Sequence, residues 1–475
     1  MFDSRSHGIR NIISLPFASG IGSTSQVVRS GPSTEINSSE AGTAISQVEQ
    51  VKQDTRRRVI AYYTYAVVTF HTLGIPLSAG LTLEFYYNEL FPTVPLDYLA
   101  LIFGIQWIGI FAVGWFAASA FKWKHWRWVS VSIAMVLLLC QAILARGARP
   151  WVLVLGMRAL EGLCLGYLRS TALQCLASHY NNNIAAVSMQ SGAAAMLGSL
   201  FYSLISWVYL RNGNYLKSSW TNFYIALFGL FPALAGFFLA SRPNNGEDAP
   251  SNHERSPPRL RHPNSTIPVQ LQTHQSILCR KLRDAHIEDC FFVAGFFLIF
   301  AFVIVWPTFF PLLFTNLSIR EYPEYATYWF LATLNAATMT SILFARPWPR
   351  RGLGVVNAFT AAGIFAGSLV LIAAWIPNFW IWGVVSVLYG LCLGPLLALH
   401  RKVFDLTCNY WHKTELLLAS LGVAVFGGIS LTGFIIEKLG GASMALTVSG
   451  AAMVVGGGCM AAGRWLKYPT KYVVI

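Results

Sequence analysis

In the apolar run VLGMRALEGLCLGYLRS, three charged side chains stand among hydrophobic neighbours: Arg158, Glu161 and Arg169. Arg158 and Glu161 are three residues apart, about one turn on a helix, so they share a face and can pair. A guanidinium offers carboxylates a fixed fork of donors, and a carboxyl group whose charge changes can exchange a proton. The chemistry within reach is therefore anion recognition and proton exchange, set against an internal ion pair that only fixes helix packing. His71, in another apolar run, is a second titratable candidate, because imidazole changes charge near neutral pH; a hydrogen-bonded packing residue is the alternative. The sequence carries no nucleophile with its base, no Gly-rich phosphate loop and no metal-ligand spacing. No catalytic residue, enzyme activity, cofactor or metal site is expected.

The elements that position these groups follow from composition. Of 475 residues, 55% are hydrophobic and 11% charged, with a mean hydropathy of +0.51, whereas soluble domains carry about 25% charged residues. Such a chain has too little polar surface for water and is read as a membrane protein whose partner is the lipid bilayer. The formal charge of +14 does not point to nucleic acid, because Lys and Arg sit mainly in short segments between apolar runs. Twelve segments are long enough to cross a bilayer, near residues 60–83, 98–120, 128–145, 151–176, 185–209, 222–240, 290–314, 326–345, 353–375, 379–399, 415–436 and 442–463. Residues 1–58, rich in Ser, Thr, Gly, Gln and Asn, read as a disordered cytoplasmic tail. The six-helix halves are then 59–240 and 290–465, joined by a cytoplasmic linker over 241–289 and followed by a C-terminal tail over 466–475. After the flexible, Pro-rich part of the linker, SILCRKLRDAHIED suits a short helix on the membrane surface. Basic residues concentrate in the loops on the side of the tail, so both termini are expected in the cytoplasm.

Counting inward at 1.5 Å per residue puts Arg158 about 10 Å, Glu161 about 15 Å and Arg169 about 27 Å from Trp151, and His71 about 16 Å from Ile60. Glu161 and His71 thus lie near mid-membrane, while Arg169 near the inner interface is expected to snorkel. Asn335 and Gln106 are polar groups in apolar runs, for which hydrogen bonding between helices is the default, with Asn335 also a candidate for solute binding or proton coupling. Asn316-Leu317-Ser318 is a glycosylation sequon in an expected outer loop. EGLCLGYL in the fourth span and YGLCLGPL in the tenth share the letters GLCLG, with Gly162 and Gly390 228 residues apart. The match marks duplicated halves, and glycines four residues apart let helices approach closely in lipid. At the same offset Arg158 corresponds to Ser386, Glu161 to Tyr389 and Arg169 to Leu397, so the glycines are repeated and the charges are not.

Twelve spans, a long central linker and duplicated halves resemble the major facilitator superfamily of secondary transporters. GLTLEFYYNELFP, IQWIG, LASHYNNNIAAVSMQSGAAAMLGSLF, LATLNAA and VSVLYGLCLGPLLAL resemble its fungal branch related to monocarboxylate transporters. Arg158-Ala-Leu-Glu161-Gly162 is similar to the fourth-span motif of that superfamily, with Glu161 where a Gln is usual. There are departures: GWFAASAFKWKHWRW lacks the Asp of the loop after span two, and the eighth span lacks the Asp and Arg of characterised animal members. The resemblance implies an all-α membrane protein of twelve transmembrane helices in two six-helix halves, the major facilitator fold. Spans one, four, seven and ten would line a central cavity, gathering His71, Glu161, Trp306 and Tyr389. Trp306-Pro307 would supply an aromatic wall there, although Trp at that depth also suits lipid or a neighbouring helix. The function implied is secondary transport by alternating access, expected at the plasma membrane; the positive side chain of Arg158 favours a small, monocarboxylate-like organic anion as the solute, and Glu161, with His71, is the expected proton-sensitive partner. Export of a fungal secondary metabolite and a non-transporting nutrient sensor are the alternatives.

Overall fold

The computed structural model describes residues 38–147, 150–180, 184–240, 287–316, 325–345, 354–407 and 414–467. Among them, twelve helices are long and apolar enough to cross a membrane: Glu49–Leu90, Leu96–Ala120, Trp126–Ala145, Trp151–Ala177, Gly192–Leu210, Tyr215–Ala240, Ile287–Phe314, Ala326–Ala345, Val355–Trp375, Phe379–Phe404, Ala419–Leu439 and Gly441–Lys467. These are the twelve expected spans, with ends shifted by up to eleven residues, and the chain is a multi-pass membrane protein. The seventh span begins at Ile287, three residues before its expected start.

One boundary needs correction. The helix that carries the first span starts at Ser38, so residues 38–58, expected without structure, are helical. Glu, Ala, Gln, Lys and Arg in this stretch are good helix formers, and the span that follows supplies a nucleus from which the helix extends. Residues 1–37, most of the linker and the expected surface helix as far as residue 286, Asn181–Asn183, and the side chain of Asn316 lie outside the described residues.

Each half forms a lobe. In the N-terminal lobe the second and third spans pack on the fourth, and the third and fifth on the sixth; in the C-terminal lobe the eighth and ninth pack on the tenth, and the seventh and ninth on the twelfth. The lobes meet where span one touches seven, two touches eleven, and five touches eight. The first span breaks at Ser78, two residues after Pro76, whose ring prevents regular helix continuation. Its last turn widens over Tyr86–Leu90.

The repeated pentapeptide plays the same part twice. Gly162 and Gly166 bring the fourth span against the backbone of Gln106, Gly109 and Ile110 in the second, where an added Cβ would overlap main-chain atoms. Gly390 and Gly394 bring the tenth span against Leu334, Ala337, Thr338 and Ser341 in the eighth. Gln106 and Leu334, Gly109 and Ala337, and Ile110 and Thr338 are also 228 residues apart. The offset therefore relates matching contacts as well as matching letters.

Candidate functional site

The bundle has two ends: the terminal side, where the first span begins and the twelfth ends, and the far side. Arg158 and Glu161 face a small chamber in the far-side part of the N-terminal lobe, with a volume of about 60 Å³. Every residue that lines it belongs to the first six spans, among them Ser78 and Thr82 from the first, Gln141 from the third and Asn222 from the sixth. Arg158 Nη1 donates to Glu161 Oε2 at 2.7 Å, and Gln141 Nε2 donates to Glu161 Oε1 at 3.2 Å. Glu161 is 1% exposed, so its charge depends on these two partners. Arg158 also lies over the Phe103 ring, 6.0 Å from its centre. Arg158 Nε, Gln141 Oε1 and Asn222 Oδ1 make no protein hydrogen bond.

His71 lies beside this chamber. Its Nδ1 is 2.7 Å from the hydroxyl of Tyr202, which lines the chamber, and its ring fills the space over Gly229 where any Cβ would collide. Tyr215, another lining residue, pairs its hydroxyl with that of Tyr86 at 2.9 Å.

At the matching positions the C-terminal lobe carries a cluster of rings. Trp306 is 1% exposed, its ring centre 5.4 Å from those of Phe310 and Trp382 and 6.1 Å from that of Tyr389. The Tyr389 hydroxyl donates to the carbonyl of Val303 at 2.8 Å. Trp306 and Phe310 lie at the 228 offset from Ser78 and Thr82, and Ser386 and Tyr389 from Arg158 and Glu161. Large rings thus occupy, in one lobe, positions whose small polar counterparts border a chamber in the other. The expected gathering of His71, Glu161, Trp306 and Tyr389 around one space is not found: the first two adjoin the N-terminal chamber, the others an aromatic core. Gln106 and Asn335 are both buried, and the Nε2 of the first and the Nδ2 of the second make no hydrogen bond.

A second cavity, about 160 Å³, does lie between the lobes, in the terminal-side part of the bundle. Tyr65, Thr69, Trp107 and Ser170 contribute from the N-terminal lobe, and Phe300, Leu397, His400 and Arg401 from the C-terminal lobe. Arg169 enters this cavity with its guanidinium 5.9 Å from the centre of the Phe111 ring, where the sequence suggested snorkelling. His400 Nδ1 is 2.6 Å from the Leu397 carbonyl oxygen, and the ring lies within electrostatic reach of both Arg169 and Arg401. No acidic residue is among those that line the cavity. His400 and Arg401 had no place among the candidates. The signal was present in Leu397, the offset partner of Arg169, which stands one turn before them on the tenth span.

On the far side the lobes are in contact. Trp207 stacks on Tyr328, with ring centres 4.9 Å apart and planes 20° from parallel. The backbone N–H of Leu96, at the start of the second span, donates to Glu437 Oε2 at 3.3 Å. Gly80 of the first span abuts Pro307 and Pro311 of the seventh. The cavity thus lies toward one end of the bundle and these contacts toward the other.

Two solved structures of the nucleoside transporter NupG superpose on this arrangement with TM-scores of 0.60 and, for a point mutant of that transporter, 0.58. They cover 86% of this chain and 99% and 98% of their own length at 12% sequence identity. This is the major facilitator fold. No family model and no curated protein matches the sequence. Within this fold the two lobes differ at matching positions: polar side chains border a chamber in the first, and a cluster of rings stands in the second.

Proposed function

We propose that the protein is a secondary transporter that moves a small organic anion, of the monocarboxylate kind, by exposing the cavity between its lobes alternately to the two sides. The observation that carries this reading is Arg169, whose guanidinium enters that cavity over the Phe111 ring, with no carboxylate among the described residues that line it. A guanidinium held in low dielectric seeks an anionic partner, and the forked donors of arginine match a carboxylate. NupG transports nucleosides, as its name states; an uncharged nucleoside would supply no counter-charge for Arg169, and this favours an anion here. The solute contacts move from Arg158, where the sequence placed them, to Arg169. The basic residues on the terminal side support an orientation with both termini in the cytoplasm.

Glu161 is the proton-carrying group in this reading. Its burial and its two partners make any change of its charge a change in the packing of spans three and four, and span four also carries Arg169. The test is solute transport in proteoliposomes. Arg169→Gln is expected to raise the KM for a carboxylate roughly 10- to 100-fold, the loss of one charge-assisted hydrogen bond, without altering protein yield. An unchanged KM would remove Arg169 from the site, and equal uptake of a neutral isostere by the native protein would remove the anion.

A further inference from the structure

Resting on the proton coupling just proposed, we infer that the chamber of the N-terminal lobe is a hydrated proton-exchange site that joins Glu161 to His71 through the hydroxyl of Tyr202. Glu161 and His71 are titratable residues on different spans, the fourth and the first, both almost fully buried. Nothing connects them along the chain. The chamber connects them in space, because Glu161 and Tyr202 both line it and Tyr202 holds His71 Nδ1 at 2.7 Å.

A volume of about 60 Å³ accommodates on the order of four waters, each needing two to four polar partners. The lining supplies them: Gln141 Oε1, Asn222 Oδ1 and Arg158 Nε make no hydrogen bond within the protein, and the hydroxyl groups of Ser206 and Ser219 stand beside them. Gln141 is nine-tenths buried, so its carbonyl oxygen has only the chamber from which to draw a donor.

The transfer balances once His71 has taken up a proton, the ion that drives transport in this reading. His71 Nδ1–H gives its proton to the Tyr202 oxygen as the Tyr202 O–H proton passes to a chamber water, which delivers a proton to a carboxylate oxygen of Glu161. Imidazolium becomes imidazole, carboxylate becomes carboxylic acid, and Tyr202 and the water end as they began. Neutral Glu161 releases the charge-assisted part of its bond to Arg158, which is the conformational consequence. The groups that face Glu161 are Arg158 and Cys164 on its own span, Gln141 and Cys140 on the third, and Tyr202 on the fifth. Those around Arg158 add Tyr86 from the first span and Tyr215 from the sixth. Of all these only Arg158 carries a permanent charge.

The other lobe serves as an internal comparison. At the 228 offset, Trp306 and Phe310 replace Ser78 and Thr82, Tyr389 replaces Glu161, and the space is filled with rings. The polar lining of the chamber is therefore not repeated at the matching positions of the other lobe.

Two variants test the route in proteoliposomes, each assayed for proton-driven solute accumulation and for solute counterflow, which needs no net proton movement. Tyr202→Phe removes the linking hydroxyl and keeps the ring; Thr82→Phe introduces the side chain that the C-terminal lobe has at the matching position. Both are expected to lower proton-driven accumulation about a hundredfold, as for loss of a positioned proton-transfer group, with counterflow retained. Glu161→Gln should do the same. If Glu161→Gln uncouples transport while Tyr202→Phe and Thr82→Phe remain coupled, the route through the chamber is wrong and the proton-carrying role of Glu161 survives. If Glu161→Gln stays coupled, that role falls and the route falls with it.

Discussion

Removing Arg158 alone would leave Glu161 buried with only an amide for a partner, which is costlier than removing both. Stranding one member of a buried pair typically costs about 3–5 kcal/mol, whereas replacing both by apolar groups of similar size is often neutral. Arg158→Ala is thus expected to lower the thermal unfolding temperature of the detergent-solubilised protein clearly more than Arg158→Leu combined with Glu161→Leu. Equal effects would mean that the pair contributes nothing as a pair. His71 supports a second test at this scale. A methyl group at Gly229 would collide with its ring, so Gly229→Ala should destabilise by about 1–3 kcal/mol, the usual penalty of overpacking, and His71→Ala in the same chain should restore most of that loss. The pairing of Arg158 with Glu161 was legible in their three-residue spacing. The pairing of His71 with Tyr202 was not, because residues 131 apart meet only once spans one and five have packed.

Among the elements, the glycines of spans four and ten make the most specific demand. Gly162→Val and Gly390→Val push two helix backbones apart, so both should sharply reduce the yield of folded, monodisperse protein. Gly156 on the same fourth span has nothing within 4 Å of its missing Cβ, and Gly156→Ala should be tolerated or slightly stabilising, since Ala is the better helix former by about 1 kcal/mol. Size-exclusion profiles of the three variants distinguish these outcomes, and an intact Gly162→Val would contradict the close approach of spans two and four. This part of the fold was legible because close contact in lipid leaves a residue-type signature: small side chains at four-residue spacing, twice, at one offset. The role of Arg169 was not legible in the same way. Depth alone puts it near the terminal end, where snorkelling and cavity lining look alike. Only the rotation of span four about its axis separates them, and that rotation is set by Gly162 and Gly166 seating on span two, which carries the stripe on to Phe111.

For the whole molecule, the distribution of contacts between the lobes decides what must move. The hydropathy pattern fixed the number and length of the spans, and the offset of 228 fixed which of them correspond; neither reveals which end of the bundle is closed, because both ends are made from the same twelve segments. Closure is a matter of which side chains meet across the lobes: Trp207 with Tyr328, Glu437 with the N–H of Leu96, and Gly80 with the prolines of span seven, all toward the far side. If transport proceeds by alternating exposure, these contacts must separate in every cycle while the cavity around Arg169 shuts. Holding them together should therefore stop turnover and leave the terminal-side cavity open to solute. Cysteines introduced by Trp207→Cys and Tyr328→Cys, bridged by a short thiol-reactive crosslinker, are expected to abolish uptake while carboxylate binding, measured by calorimetry on the solubilised protein, stays within about twofold of the uncrosslinked variant. Cleaving the bridge should restore uptake. Transport that continued through the bridged protein would show that the far side does not open between spans five and eight, and the cavity and the far-side contacts would then have to be read as features of a lobe interface that stays fixed.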